Sequence, residues 1–199
     1  MREAVFGNVA RAQEEAAMAL RLSSGRDLQA GAALALAFAG DSVRARKLSE
    51  ALAKQFPEDT LARFNYLPAI NARLALNQND AAKAIEVLRP AAPYELGTTP
   101  ANFFFLVLYP VYVRGQAFLA AHKGSEAAVE FQKILDDSGI VVNAPIGSVA
   151  HLGLARAYVQ QGDSAKARAA YQDFLARWKD ADPDVPILRE AKAEFARLK

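Results

Sequence analysis

The 199-residue chain contains no cysteine, which excludes disulfide frameworks, thiolate zinc sites and cysteine nucleophiles together. It has only two histidines, His122 and His151, and neither has a His-x3-His or His-Glu-x2-His neighbour. Metal and imidazole chemistry therefore have little to work with, and no metal or cofactor is expected. Neither sign of charge dominates: 24 Lys and Arg stand against 22 Asp and Glu, evenly spread. A nucleic-acid binder would need its Lys and Arg in a clustered stripe, so nucleic acid is not an expected partner. No apolar run approaches the roughly 20 residues that span a bilayer. The longest, residues 101–113, contains Asn102 and Pro110 and reads as a buried helix, so no membrane insertion is expected. Residues 1–10 hold no apolar stretch of signal-peptide length, and a cytoplasmic location is the expectation. Paired carboxylates such as Glu14-Glu15 and Asp136-Asp137 are adjacent and point to different faces of a helix, so they do not form a general acid and base pair. Asp180, Asp182 and Asp184 lack the Gly and bidentate Glu of a calcium loop and read as a helix-capping acidic turn. These absences point away from an enzyme.

What the chain does have is alanine, about a fifth of its residues, and alanine is the best helix former. Asn77-Gln78-Asn79-Asp80, residues 90–100, 136–147 and 180–186 gather Gly, Pro, Asn and Asp into short clusters. They divide the chain into stretches of helical spacing, and the fold expectation is all-α, with no sheet.

Aligning the stretches exposes a repeat. The clearest copy reads His151-x2-Leu154-Ala155-x2-Tyr158, Gly162-Asp163, Ala167-x3-Tyr171-x2-Phe174. A second runs Val111-x2-Arg114-Gly115-x2-Phe118 to Ala127-x3-Phe131-x2-Ile134, and a third Pro68-x2-Asn71-Ala72-x2-Ala75 to Ala84-x3-Leu88-x2-Ala91. The fourth is Gln29-x2-Ala32-Ala33-x2-Leu36, Gly40-Asp41, Ala45-x3-Ser49-x2-Leu52, ending at Pro57. Nine residues separate Leu36 from Ala45, Ala75 from Ala84, Phe118 from Ala127 and Tyr158 from Ala167. The small residues let antiparallel helices approach closely; Gly40 and Gly162 supply positive φ, while Asp41 and Asp163 cap the next helix. Residues 4–22 read as one amphipathic leading helix, and residues 186–198, with Leu188, Ala191, Phe195 and Leu198 on one face, as a capping helix.

This pattern resembles the tetratricopeptide (TPR) motif W-x2-L-G-x2-Y followed by A-x3-F, with His151 in place of Trp and Ala155 in place of Gly. Successive copies lie 39, 43 and 40 residues apart, more than the about 34 of the standard repeat, so the extra residues fall between helix pairs. The resemblance implies a TPR-like α-solenoid: residues 1–24 as leading helix, 26–59, 65–98, 108–141 and 148–181 as repeats, and 184–199 as cap. Phrases such as Tyr66-Leu-Pro-Ala-Ile, Gly139-Ile-Val-Val-Asn-Ala-Pro-Ile-Gly147 and Ala169-Ala-Tyr-Gln-Asp-Phe-Leu-Ala-Arg-Trp178 are similar to the C-terminal TPR segment of bacterial, particularly acidobacterial, serine/threonine protein kinases. Kinase motifs themselves are absent: there is no Gly-rich loop, Val-Ala-Ile-Lys, His-Arg-Asp or Asp-Phe-Gly. The likeness implies a non-catalytic sensor or scaffold module of a bacterial signalling protein.

Mapped onto this chain, the family's concave-face positions are Tyr66, Arg73, Asn77, Tyr109, Tyr112, Gln116, Arg156 and Gln160. Tyr and Arg anchor interfaces and amides bond an extended backbone, so a protein or peptide is the expected partner, with Arg73 and Arg156 facing solvent. Ala30 and Leu34 stand where a carboxylate clamp would begin, which disfavours a terminal-carboxylate ligand. Asn71 and Arg114 occupy usually apolar sites and either reach the groove or are buried with partners. His151 reads as a packing residue and His122 as an exposed loop residue. Phe103, Phe104 and Phe105 cannot all face one side of a helix, since successive residues turn by about 100°. Core packing, a self-association contact and the wall of a small-molecule pocket spanning residues 103–112 are the three readings of that stretch.

Overall fold

The structure is a computed structural model that describes residues 1–97 and 106–198. Among these residues it is helical throughout, with no strand. The helices are α1 (Arg2–Val5), α2 (Val9–Leu22), α3 (Arg26–Phe38), α4 (Ser42–Gln55), α5 (Leu67–Leu76), α6 (Ala81–Val87), α7 (Tyr109–Ala120), α8 (Gly124–Asp136), α9 (Ser138–Val141), α10 (Pro145–Gln160), α11 (Ser164–Arg177) and α12 (Pro186–Ala196). The fold is an all-α solenoid of antiparallel pairs: α3 packs on α4, α5 on α6, α7 on α8 and α10 on α11. The first helices neighbour one another in the order α3, α5, α7, α10 and form one layer, and each second helix also packs on the next first helix.

One device repeats at every pair. The N–H groups of Asp41, Asp80, Lys123 and Asp163 donate to the carbonyls of Leu36, Ala75, Phe118 and Tyr158 over 2.8–3.0 Å, and each preceding residue donates to the carbonyl three positions back. This is the Schellman arrangement, which needs left-handed backbone just after the helix. Gly40 and Gly162 supply it without strain, at φ 79° and 75°; Asn79 and His122 take the same place at 60° and 56°. Asp41, Asp80 and Asp163 then cap α4, α6 and α11 through the N–H groups of Arg44, Lys83 and Lys166. The constant nine-residue gap follows from this one turn: it fixes the residues from the last accepting carbonyl to the first buried alanine. Ala45, Ala84, Ala127 and Ala167 are all fully buried.

Four departures from the sequence expectation have local causes. The leading helix is two helices, because Gly7 at φ 89° closes α1 with the same kind of turn. The helix of residues 101–113 begins at Tyr109, as Pro110 fits only a first helical turn; residues 98–105, including Phe103, Phe104 and Phe105, lie outside the described residues. Ahead of α5 lies a wide turn over Ala62–Tyr66, directly before Pro68, whose ring and missing N–H exclude the ordinary helical bond. The acidic turn leaves α12 uncapped: Asp182 accepts from Asp184 N–H, and Val185 stands at the helix start.

Phe131 of α8 sits at the centre of the core, wedged between two glycines. A Cβ on Gly115 of α7 would lie 2.8 Å from its ring, and one on Gly153 of α10 2.6 Å. Arg114 is buried beside it, donating to both oxygens of Glu95 and to Glu130, while Lys133 reaches Glu95 at 3.2 Å. Two cations and two carboxylates balance, as burial requires. Asn71 instead is exposed and accepts from Ser49 on the second-helix side.

Candidate binding face

The first-helix layer carries a continuous aromatic and polar track. Phe38 ends α3, and the Arg73 guanidinium of α5 lies over its ring at 5.0 Å. Arg73 Nη1 donates to Gln116 Oε1 of α7 at 3.4 Å, and Tyr112, one turn before Gln116, has its ring 6.2 Å from Phe38. On α10, Arg156 donates to Glu194 of α12 at 2.9 and 2.8 Å and to Glu190 at 3.3 Å; Tyr171 of α11 donates to the same Glu194 at 2.7 Å. The i, i+4 spacing of Tyr112 and Gln116 puts both on one face of α7.

Burial sets the electrostatics. Tyr112 is pushed up to about 12 by burial, against the opposing pull of Arg156 and Arg73. Burial also draws the Arg73 guanidinium below its ordinary value, and its Nε is buried without a hydrogen-bond partner. For Glu194 burial resists ionisation, yet the hydrogen bonds from Arg156 hold it below the usual carboxylate value.

The eight sequence-derived positions thus divide. Arg73, Tyr112, Gln116 and Arg156 come together on the track. Neither Arg73 nor Arg156 is a free solvent-facing charge, a correction that follows from Phe38 beneath the one and Glu194 beside the other. Asn77 and Gln160 are inter-repeat ties: Asn77 Nδ2 donates to the Ala37 carbonyl at 2.8 Å and Gln160 Nε2 to the Leu119 carbonyl at 2.9 Å. Tyr66 and Tyr109 are buried, Tyr109 next to Tyr112 on α7 and Tyr66 donating to Asp27 in a group with Arg26 and Asp59. Phe38 and Glu194 were missed. Phe38 stands two residues past a repeat position, and Glu194 is distant in sequence from the arginine it pairs with.

Two further places bear on the sequence reading. His151 packs half-buried with Nδ1 2.8 Å from Asp173, while burial and the Arg177 charge lower its pKa against the pull of Asp173. A cavity of about 620 Å³ opens between α2 and α3, lined by Ala16, Leu28, Gly31, Ala32 and Leu106. Leu106 is its contribution from the 103–112 stretch; Tyr109 and Tyr112 lie in the core.

The class is now defined: a repeat solenoid of antiparallel helix pairs, one layer of which carries an aromatic and polar track. A family model described as tetratricopeptide repeat matches residues 149–181, which hold most of α10 and all of α11, and supports a tetratricopeptide repeat there. No curated protein and no solved structure matches it. Repeats of this kind generally mediate protein–protein interaction and are typically non-catalytic scaffolds. Among the described residues no helix is long and apolar enough to cross a membrane.

Proposed function

We propose that the first-helix layer is the concave, working face of the solenoid and that it captures a peptide segment of a partner protein. The convergence of Arg73, Tyr112, Gln116 and Arg156 beside Phe38 carries this reading. Arg and amide groups over a floor of Phe38 and the buried Tyr112 offer hydrogen bonds to an extended backbone and apolar area to an aromatic or aliphatic side chain. Arg73 adds an under-used donor set, since its one side-chain hydrogen bond is long. The likeness of the phrases quoted above to kinase-associated segments supports a scaffold or sensor role in a bacterial signalling protein, in the cytoplasm.

Selection of peptides from a random display library on the intact protein tests the reading. A selected peptide should lose about tenfold or more in affinity against Gln116→Ala, roughly the 1.4 kcal/mol of one good interfacial contact, while Asn71→Ala, on the side of α5 turned to Ser49 of α4, leaves it unchanged. The reverse pattern refutes the assignment of the face.

The cavity beside Leu106 favours a second reading, a small-molecule-sensing domain. Its volume is that of ligand pockets, and its walls are mostly apolar. Ala32→Leu would project into it and narrow it, so an apolar dye held there should bind more weakly after that substitution; unchanged dye binding removes this reading.

A further inference from the structure

The N-terminal residues do not lie along the outside of the first repeat. Helix α1 touches both α3, at one end of the first-helix layer, and α10, at the other. Ala4 packs with Ala35, Ala39 and Phe38, the residue that floors the track. Two residues on, Phe6 meets Trp178 edge to face at 4.7 Å, and its carbonyl accepts the Ile187 N–H at 3.2 Å. Gly7 is needed there, since a Cβ would stand 3.0 Å from Pro186, at φ 89°. The segment thus joins α3 to α10, Trp178 and the start of α12, and it meets the track at Phe38.

Its attachment has the character of a bound ligand. A four-residue helix does not hold itself together in water, so α1 persists through what it docks on. Its buried carboxylate, Glu3, is satisfied from inside the segment, by Asn8 Nδ2 at 2.8 Å and Arg2 Nε at 3.4 Å. Departure would therefore strand no buried charge on either side. What holds it is apolar contact at Met1, Ala4, Val5 and Phe6, one backbone hydrogen bond from Ile187, and its packing on α2, to which it is joined.

We infer that residues 1–8 are an intramolecular ligand of the first-helix face, and that a partner peptide with the same chemistry, small residues on one helical turn followed by an aromatic that seats against Trp178, binds by displacing them. This rests on the peptide-capture reading and adds the kind of peptide and the competition that limits its access. A site open for only a fraction of the time shows an affinity reduced by that fraction.

The probe is the synthetic octapeptide Met-Arg-Glu-Ala-Val-Phe-Gly-Asn, and the reporter is Trp178, the one tryptophan of the chain. In the full chain carrying Phe6→Ala, helical circular dichroism should persist and Trp178 emission should become more accessible to iodide. Added octapeptide should restore the emission and bind this variant about tenfold or more tighter than the wild type. The octapeptide with Ala for Phe should do neither. Equal binding to both proteins, or to neither, overturns the inference. Should Phe6→Ala fail to fold, Gly7→Ala loosens the segment while keeping its aromatic ring and must give the same gain; failure of both to fold makes the segment a permanent part of the core and also overturns it. A display-selected peptide that depends on Gln116 yet ignores Phe6→Ala would remove this inference alone. An octapeptide that competes while no selected peptide senses Gln116 would remove the peptide-capture reading of the track instead.

Discussion

Phe131 shows how one side chain dictates its neighbours. Glycine inside a helix costs up to about 1 kcal/mol against alanine, so on propensity alone Gly153→Ala in α10 should stabilise the protein. The Phe131 ring, 2.6 Å from where the new Cβ would stand, reverses that sign. Gly153→Ala and Gly115→Leu should each destabilise by about 1–3 kcal/mol in urea unfolding. Phe131→Ala should cost about 3–5 kcal/mol, because the ring is fully buried. Tyr158→Ala should cost less than this, since Tyr158 is half-buried beside Lys166. His151 adds a pH dependence. Its pKa is lowered in the folded chain, so the unfolded chain binds its proton first as pH falls. The contribution is full above the unfolded value of about 6.5 and is lost as pH falls through the folded value, so His151→Gln should flatten the stability profile over that window.

The helix-pair turn is the element that made the fold readable. Gly40-Asp41 and Gly162-Asp163 announce it in the sequence, and the nine-residue gap carries it to Asn79-Asp80 and His122-Lys123, where the glycine is absent. Asp163→Ala removes the side-chain cap of α11 and should lower stability, read as a downward shift in the unfolding midpoint with unchanged slope. Gly162→Ala forces a Cβ into left-handed backbone and should add a loss of about 1–2 kcal/mol. The candidate face was legible only in part. Repeat spacing placed Arg73, Tyr112, Gln116 and Arg156 on one layer, since that follows from helical periodicity. It could not place the partners of these residues, because Phe38 beneath Arg73 and Glu194 beside Arg156 come from other helices, brought there by packing. Nor could it foresee α1 as a bridge: Gly7 marks the break, but Trp178 and Pro186, on which the segment rests, lie at the far end of the chain.

Across the whole molecule, stability and the proposed recognition should overlap at Arg156 and separate at Gln116. Removing Arg156 leaves the half-buried Glu194 carboxylate with the Tyr171 hydroxyl but without its cation, so Arg156→Ala should cost about 1–3 kcal/mol of stability as well as any binding. Gln116 is half-buried and bonded at long range, so Gln116→Ala should change stability by no more than about 0.5 kcal/mol. That makes it the cleaner probe of the face. The most direct measurement is an NMR titration of the intact protein with a display-selected peptide, following the Gln116 side-chain amide, the Arg73 and Arg156 Nε–H groups and the Ile187 backbone N–H. The expected result is movement of all of these together, with Ile187 losing its bond to Phe6 as residues 1–8 give way. Shifts confined to α4, α6, α8 and α11, with the first-helix resonances still, would contradict the assignment of the binding face.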